Sequence, residues 1–246
     1  MEDESMHRPA RELPPFFRSA FFQLPPLRRL SVLCAAALCP VVMSGCNLFM
    51  IAAYLIGGPP SVEPDFEVAT RTSLTDEDVT VAVACYVPID LRADIGNENL
   101  DAEIARLVTQ KLTLNKIKVR EPNAVRQWMA RNPDWEEPGE IAEAMQVSHV
   151  IYIDLSRFSL WEENSATLLR GRADAIVTVH AVEEEGSDAV EIYGKEVAAQ
   201  YPLAVPRDSS AQNPGRFRQE FMLHLSDKIG WLFYPHYNGD EFSSAT

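Results

Sequence analysis

Hydrophobic positions change their period along the chain, and each change marks an element. Val79 to Val87 is a run rich in Val and Ala with Cys85 inside it, and reads as a strand. A polar connection, Asp90 to Asn97 with Gly96, leads into the clearest helical pattern. Leu100, Ile104, Leu107, Val108 and Leu114 trace one face of that helix, and Asn97 or Asn99 is placed to cap its start. Glu98, Asp101 and Glu103 suit the positive end of its dipole, and Lys111 and Lys116 the negative end. Ile117-Lys118-Val119 reads as a short second strand. Pro122 opens a helix through Val125, Trp128 and Met129 that stops at Asn132-Pro133, and Pro138 opens another through Ile141 and Met145. His149 to Leu155, apolar apart from Asp154, has the pattern of a strand covered on both faces.

Beyond that strand the period becomes two. Ala173, Ala175, Val177, Val179 and Ala181 alternate with polar residues, Glu184-Glu185-Gly186-Ser187 turns the chain, and Ala189 to Ala199 returns as an antiparallel partner with one wet face. Asn213-Pro214 then caps a helix whose apolar face runs Phe217, Phe221, Leu225, Ile229 and Leu232. The expected architecture is α/β (α+β): a single domain with a mixed sheet in β-α-β-α-α-β-β-β-α order and helices packed on the sheet. Leu107, Val108, Ile151, Ile153, Val177, Phe221 and Leu225 should be buried together.

The first 45 residues follow a different pattern. Arg28 and Arg29 precede an uncharged run, Leu30 to Met43, that ends in small residues before Cys46. That is the order of a positive region, an apolar region and a cleavage site. The positive-inside tendency holds Arg28 and Arg29 in the cytoplasm, so everything after Cys46 is exported. No charge occurs from Leu30 to Val62, so an uncleaved membrane span is the alternative, although Pro40 and Gly45 interrupt such a helix. The long stretch before Arg28 contains Glu2, Asp3 and Glu4, which leaves Met1 or Met6 as the start. The chain therefore divides into a signal peptide (1–45), a lipid anchor and tether (46–78), an α/β domain (79–237) and a tail (238–246).

The ending Met43-Ser44-Gly45-Cys46 resembles the lipobox of bacterial lipoproteins, with Met43 in place of the commoner Leu. The resemblance implies cleavage between Gly45 and Cys46, a diacylglycerol on the Cys46 sulfur and a further acyl chain such as palmitate on the new amino terminus of Cys46. It also implies attachment to the cell membrane or outer membrane, facing the periplasm. Over Val79 to Tyr237 the element order, with Ile141 to Tyr152 as its helix-to-strand segment, resembles the curli-secretion lipoproteins, the lipoprotein activators of penicillin-binding proteins and the TolB amino-terminal domain. That resemblance implies a non-enzymatic module that docks other envelope proteins. A secretion-pore subunit or transport-accessory lipoprotein is a lesser variant, since a pore needs membrane hairpins and Pro88 to Asn99 is short and charged.

Charge and candidate chemistry refine this picture. The chain has a formal net charge of −14. After residue 45 it holds 17 Lys and Arg against 32 Asp and Glu, a surface that repels phosphate backbones and argues against nucleic-acid binding. Cys85 is the one thiol after Cys46, so the domain has no disulfide framework, and a strand Cys reads as a small buried hydrophobe. His149, His180, His224 and His236 lack the spacing of a metal pair, and no glycine-rich phosphate loop occurs, so no metal and no cofactor are expected. Glu183-Glu184-Glu185 reads as a solvated turn. Asp154 is a lone strand acid. An exported hydrolase, the alternative function, needs Asp154 and a histidine to converge in one pocket. Trp135 and Trp161 are the candidate anchors for a protein partner, with Trp128 placed instead on a helical apolar face.

Overall fold

The computed structural model describes residues 61–182, 189–237 and 239, and all of them lie in one compact unit, Pro60–Thr246. It is a mixed α/β fold. In chain order the elements are β1 (Ser61–Val62), α1 (Asp65–Thr70), β2 (Val81–Tyr86), α2 (Ile89–Ala93), α3 (Leu100–Leu114), α4 (Pro122–Arg131) and α5 (Pro138–Met145). There follow β3 (His149–Trp161), β4 (Leu168–Ala181), β5 (Val190–Tyr201), β6 (Arg207–Asp208), α6 (Pro214–Gly230) and β7 (His236–Tyr237). The main sheet runs β2-β3-β4-β5, with β6 pairing the first residues of β4. β2 and β3 are parallel and the remaining pairs antiparallel.

Helices cover the two faces unequally. Residues pointing to one face, including Val83, Ile151, Ile153, Val177 and Val179, meet α3 and α6 in the larger core. On the other face, Ala82, Ala84 and Val150 meet Val125 of α4 and Ile141 of α5 in a smaller core. β2 and the first half of β3, His149 to Leu155, are thus covered on both sides, which is why their sequences are nearly continuous apolar runs. The outer face of β4 and β5 carries the polar half of the alternation, with Ile176 exposed among Asp174, Thr178 and Glu196.

Local chemistry sets the helix ends. The Asn213 Oδ1 accepts from the Gly215 and Arg216 N–H groups at 2.8 and 3.1 Å, satisfying donors that the first turn of α6 leaves free. Glu137 and Glu140 form a capping box at the start of α5 behind Pro138. α3 has no side-chain cap: Asn97 donates to the Leu91 carbonyl, and Asn99 is engaged by Arg126.

Several expectations are corrected. Ile117–Val119 is not a strand: Val119 makes an isolated parallel bridge with Val81, and its neighbours exchange two hydrogen bonds with that residue. On α3 the buried line is Leu100, Ile104, Val108 and Leu112, a strict four-residue step, while Leu114 is 72% exposed on the opposite side. Leu107 is half-buried at the margin of the core, and the other six residues expected with it are in the core. β3 extends past Leu155 to Trp161 through irregular register. Residues 61–78, read as part of a tether, are folded onto the domain. β1 pairs antiparallel with β7, Phe66 of α1 and Leu74 are buried, and the Phe66 N–H donates to the Leu232 carbonyl at 3.0 Å. The Glu183–Ser187 turn lies outside the described residues.

Candidate functional site

The connections around β2 leave in opposite directions. From β2 the chain crosses one face of the sheet as α3 and reaches Val119 on one side of the strand. It then crosses the other face as α4 and α5 and arrives at β3 on the other side. The carboxyl end of β2 is therefore a topological switch point, the position where open α/β sheets leave a crevice between diverging connections. A cleft of about 470 Å³ lies there.

Its apolar wall comes from Val83 of β2, Val125 and Met129 of α4, and Trp135 in the loop after α4. Trp135 is half-buried, with its ring edge-on to Tyr152 at 5.8 Å between centroids. Three charged side chains supply the polar wall. Asp101, in the first turn of α3, accepts at Oδ2 from the Arg126 Nε at 3.1 Å, and the Arg126 Nη2 donates to the Asn99 Oδ1 at 2.9 Å. This tie fixes α4 against the start of α3. The second oxygen of Asp101 is buried and accepts from nothing. Arg92, carried by α2, has a buried Nε with no partner, and its guanidinium makes no ion pair or hydrogen bond among the described residues. On either side of Arg92 in the chain, Ile89 and Ile95 are 76% and 100% exposed.

Cys85 also lines the cleft, but burial first, then the carboxylates of Asp101 and Asp154, push its thiol far above the ordinary range. It stays protonated at neutral pH and is a poor nucleophile. Burial likewise lifts the Tyr152 hydroxyl to about 12, with Asp154 adding to the effect. What the cleft offers is a cation, Arg92, without an ion pair among the described residues, and an apolar wall.

The residues singled out in the sequence are distributed differently. Cys46 and Gly45 lie outside the described residues. Trp135 reaches the cleft, while Trp161, at the far end of β3 and roughly 30 Å along the strand from Tyr152, is 40% exposed and does not. Trp128 packs against the smaller core. Asp154 sits opposite Tyr86 and Ile176 in the sheet, and neither it nor any histidine of the described residues lines the cleft. His224 faces the Tyr201 ring and His236 stacks on Trp231, so these two have separate partners. Among the described residues no three His, Cys, Asp or Glu side chains converge as a metal site, and no helix is long and apolar enough to cross a membrane. Arg92 and Arg126 carry no local signature that marks them in the sequence. The usable signal was a charged connection directly after the first parallel strand, where a switch-point crevice forms.

The class this geometry defines is an α/β domain with a mixed sheet and a crevice at the carboxyl end of its first long strand. No family model matches the sequence, and no curated protein matches it. Among solved structures, a PelC dodecamer from Paraburkholderia phytofirmans is similar at 9% identity and a TM-score of 0.39, over 71% of this chain and 97% of that one. Hypothetical protein CT253 from Chlamydia trachomatis is similar at 13% identity and a TM-score of 0.37, over 62% and 96%. Lipoprotein GNA1162 from Neisseria meningitidis is similar at 12% identity and a TM-score of 0.38, over 57% and 91%.

Proposed function

We propose that this chain is a lipid-anchored, non-catalytic binding module of a bacterial cell envelope, and that the cleft at the carboxyl end of β2 is its ligand surface. The leader supports the anchor: Arg28 and Arg29, an uncharged run and the Ser44-Gly45-Cys46 ending stand in the order that a lipoprotein peptidase reads. Diacylglycerol and a further acyl chain on Cys46 hold the protein stably, where a single chain binds only marginally. The observation that carries the binding function is the cleft itself. It is lined by the Arg92 guanidinium, which has no ion pair among the described residues, and by the half-buried Trp135, a charge and an aromatic ring for a partner to meet.

Capture from detergent-solubilised envelopes tests the reading. Wild-type chain should retain a stoichiometric envelope protein. Ala130→Trp, which places a bulky ring on an exposed residue of the cleft wall, should lose it. Equal capture by both forms would separate binding from the cleft. Replacing Trp161 with Ala should leave capture unchanged, because Trp161 lies away from the cleft.

A further inference from the structure

Helices α4 and α5 cover only part of the outer sheet face. Ala82, Ala84 and Val150 lie beneath them, and Tyr152 meets Trp135 at their margin. Two residues further along the strands, one row of side chains crosses the whole sheet. Tyr86 of β2 stands opposite Asp154 of β3, Asp154 opposite Ile176 of β4, and Ile176 opposite Glu196 of β5. Their chain neighbours Cys85, Ile153, Val177 and Val197 point into the larger core, so these four point outward. Tyr86 is 43% and Ile176 46% exposed, Asp154 is half-buried, and Glu196 is exposed, as is Ala198 in the next row. The carboxylates of Asp154 and Glu196 make no ion pair or hydrogen bond among the described residues, and Arg157 close by is committed to Asp174 at 3.0 Å. Tyr86 also lines the cleft, so the row is continuous with it.

We propose that this row docks a basic amphipathic helix of another protein, with its cations on Asp154 and Glu196 and its apolar stripe on Tyr86, Ile176 and Ala198. Spacing selects the helix. Asp154 and Glu196 stand two strands apart, roughly 10 Å, with Ile176 between them. Lys or Arg seven residues apart on a helix span about 10 Å on one face, and the third or fourth residue between them lies on that face as well. An extended strand covers about 10 Å in three residues, which turns the second cation to the wrong side. The net charge of −14 steers a basic partner toward the chain and repels anionic lipid. The inference rests on the reading of the cleft as the ligand surface and extends that surface along the sheet.

The test is photo-crosslinking of the full chain in native envelopes, with p-benzoylphenylalanine placed in turn at Ile176, at Ala198 and, as a control, at Leu114, which is exposed at the end of α3 on the other face. Mass spectrometry then reads the sequence of the segment attached. Ile176 and Ala198 should give a protein adduct whose attached segment carries Lys or Arg on both sides of an apolar residue at helical spacing, and Leu114 should not give it. Neutralising both acids, Asp154→Asn with Glu196→Gln, should lower the adduct yield several-fold, and raising the salt concentration should do the same. An attached segment without cations, a second copy of this chain, a lipid adduct, no adduct at either position, equal yield at Leu114 or a yield indifferent to the neutralised acids each overturns the inference. If Ala130→Trp still abolishes capture in that case, the cleft remains the ligand surface and only its extension along the sheet is wrong; if it does not, the underlying reading has failed as well.

Discussion

Phe66→Ala should destabilise the domain by about 3 to 5 kcal/mol, the range for removing a fully buried aromatic ring when its surroundings relax only in part. Phe66 has no exposed surface, and its ring lies 5.4 Å from the Tyr193 ring in an edge-on arrangement and 5.8 Å from that of Phe233. The neighbouring Asp65 does not rescue the loss. Its Oδ2 accepts from the Tyr193 hydroxyl at 2.7 Å and its carboxylate pairs with Lys195, but these contacts are partly solvated and orient α1 more than they hold it. For a domain of this length, each kcal/mol lowers the melting temperature by roughly 2 to 4 °C, so a fall of about 10 °C is expected. The assay is urea and thermal unfolding of a chain beginning at Ser61, with Val68→Ala on the exposed side of the same helix as control, expected within about 0.5 kcal/mol of wild type. A chain beginning at Glu67 lacks the same ring and should be weakened to a similar degree. Equal stability of Phe66→Ala and wild type would show that α1 is not part of the fold and would restore residues 61–78 to the tether.

Two further predictions concern packing and protons. Gly171 lies on the inner face of β4, where an added Cβ would come within 2.6 Å of three atoms of the buried Phe221 ring, so Gly171→Ala should cost about 1 to 3 kcal/mol in urea unfolding, and a neutral result would deny that contact. His149 and His180 are both held below the ordinary imidazole range by burial. The unfolded chain takes up these protons near pH 6.5 while the folded chain does not, so stability is complete above about pH 6.5 and falls as pH drops through the folded values. The carboxylates with lowered values, such as Glu162, titrate below that window. Urea midpoints at pH 5.5 and 7.5 should therefore differ, with His149→Gln reducing the difference; identical midpoints would contradict the burial effect.

Proline punctuation and period made much of the fold legible. Pro122, Pro138 and Pro214 each stand at the first position of their helix, and the period-two alternation of Ala173 to Ala181 appears as alternating burial along β4. The misses share a cause. Leu112 and Leu114 both fit a loose apolar face, and only the tertiary position of α6 and the sheet selects Leu112. Phe66 and Leu74 stand among Pro, Asp, Glu and Thr without a period, so nothing local shows that they are core. The site was less legible still. Arg92, Asp101 and Arg126 are ordinary charged residues of three helices, and they acquire meaning only when the crossovers around β2 bring them to one crevice. Trp135 and Trp161 have the same claim as exposed rings in the sequence, yet only Trp135 reaches that crevice.

The state of Cys46 in the native protein decides whether this chain is a lipid-anchored module. Lipidation and cleavage make Cys46 the first residue, so mass spectrometry of the membrane-extracted chain should find an amino-terminal peptide beginning there and carrying diacylglycerol on sulfur with a further acyl chain. Cys46→Ala should accumulate as the larger uncleaved form. An intact peptide running across Gly45-Cys46 with a free thiol would contradict lipid anchoring and leave the leader as an uncleaved anchor.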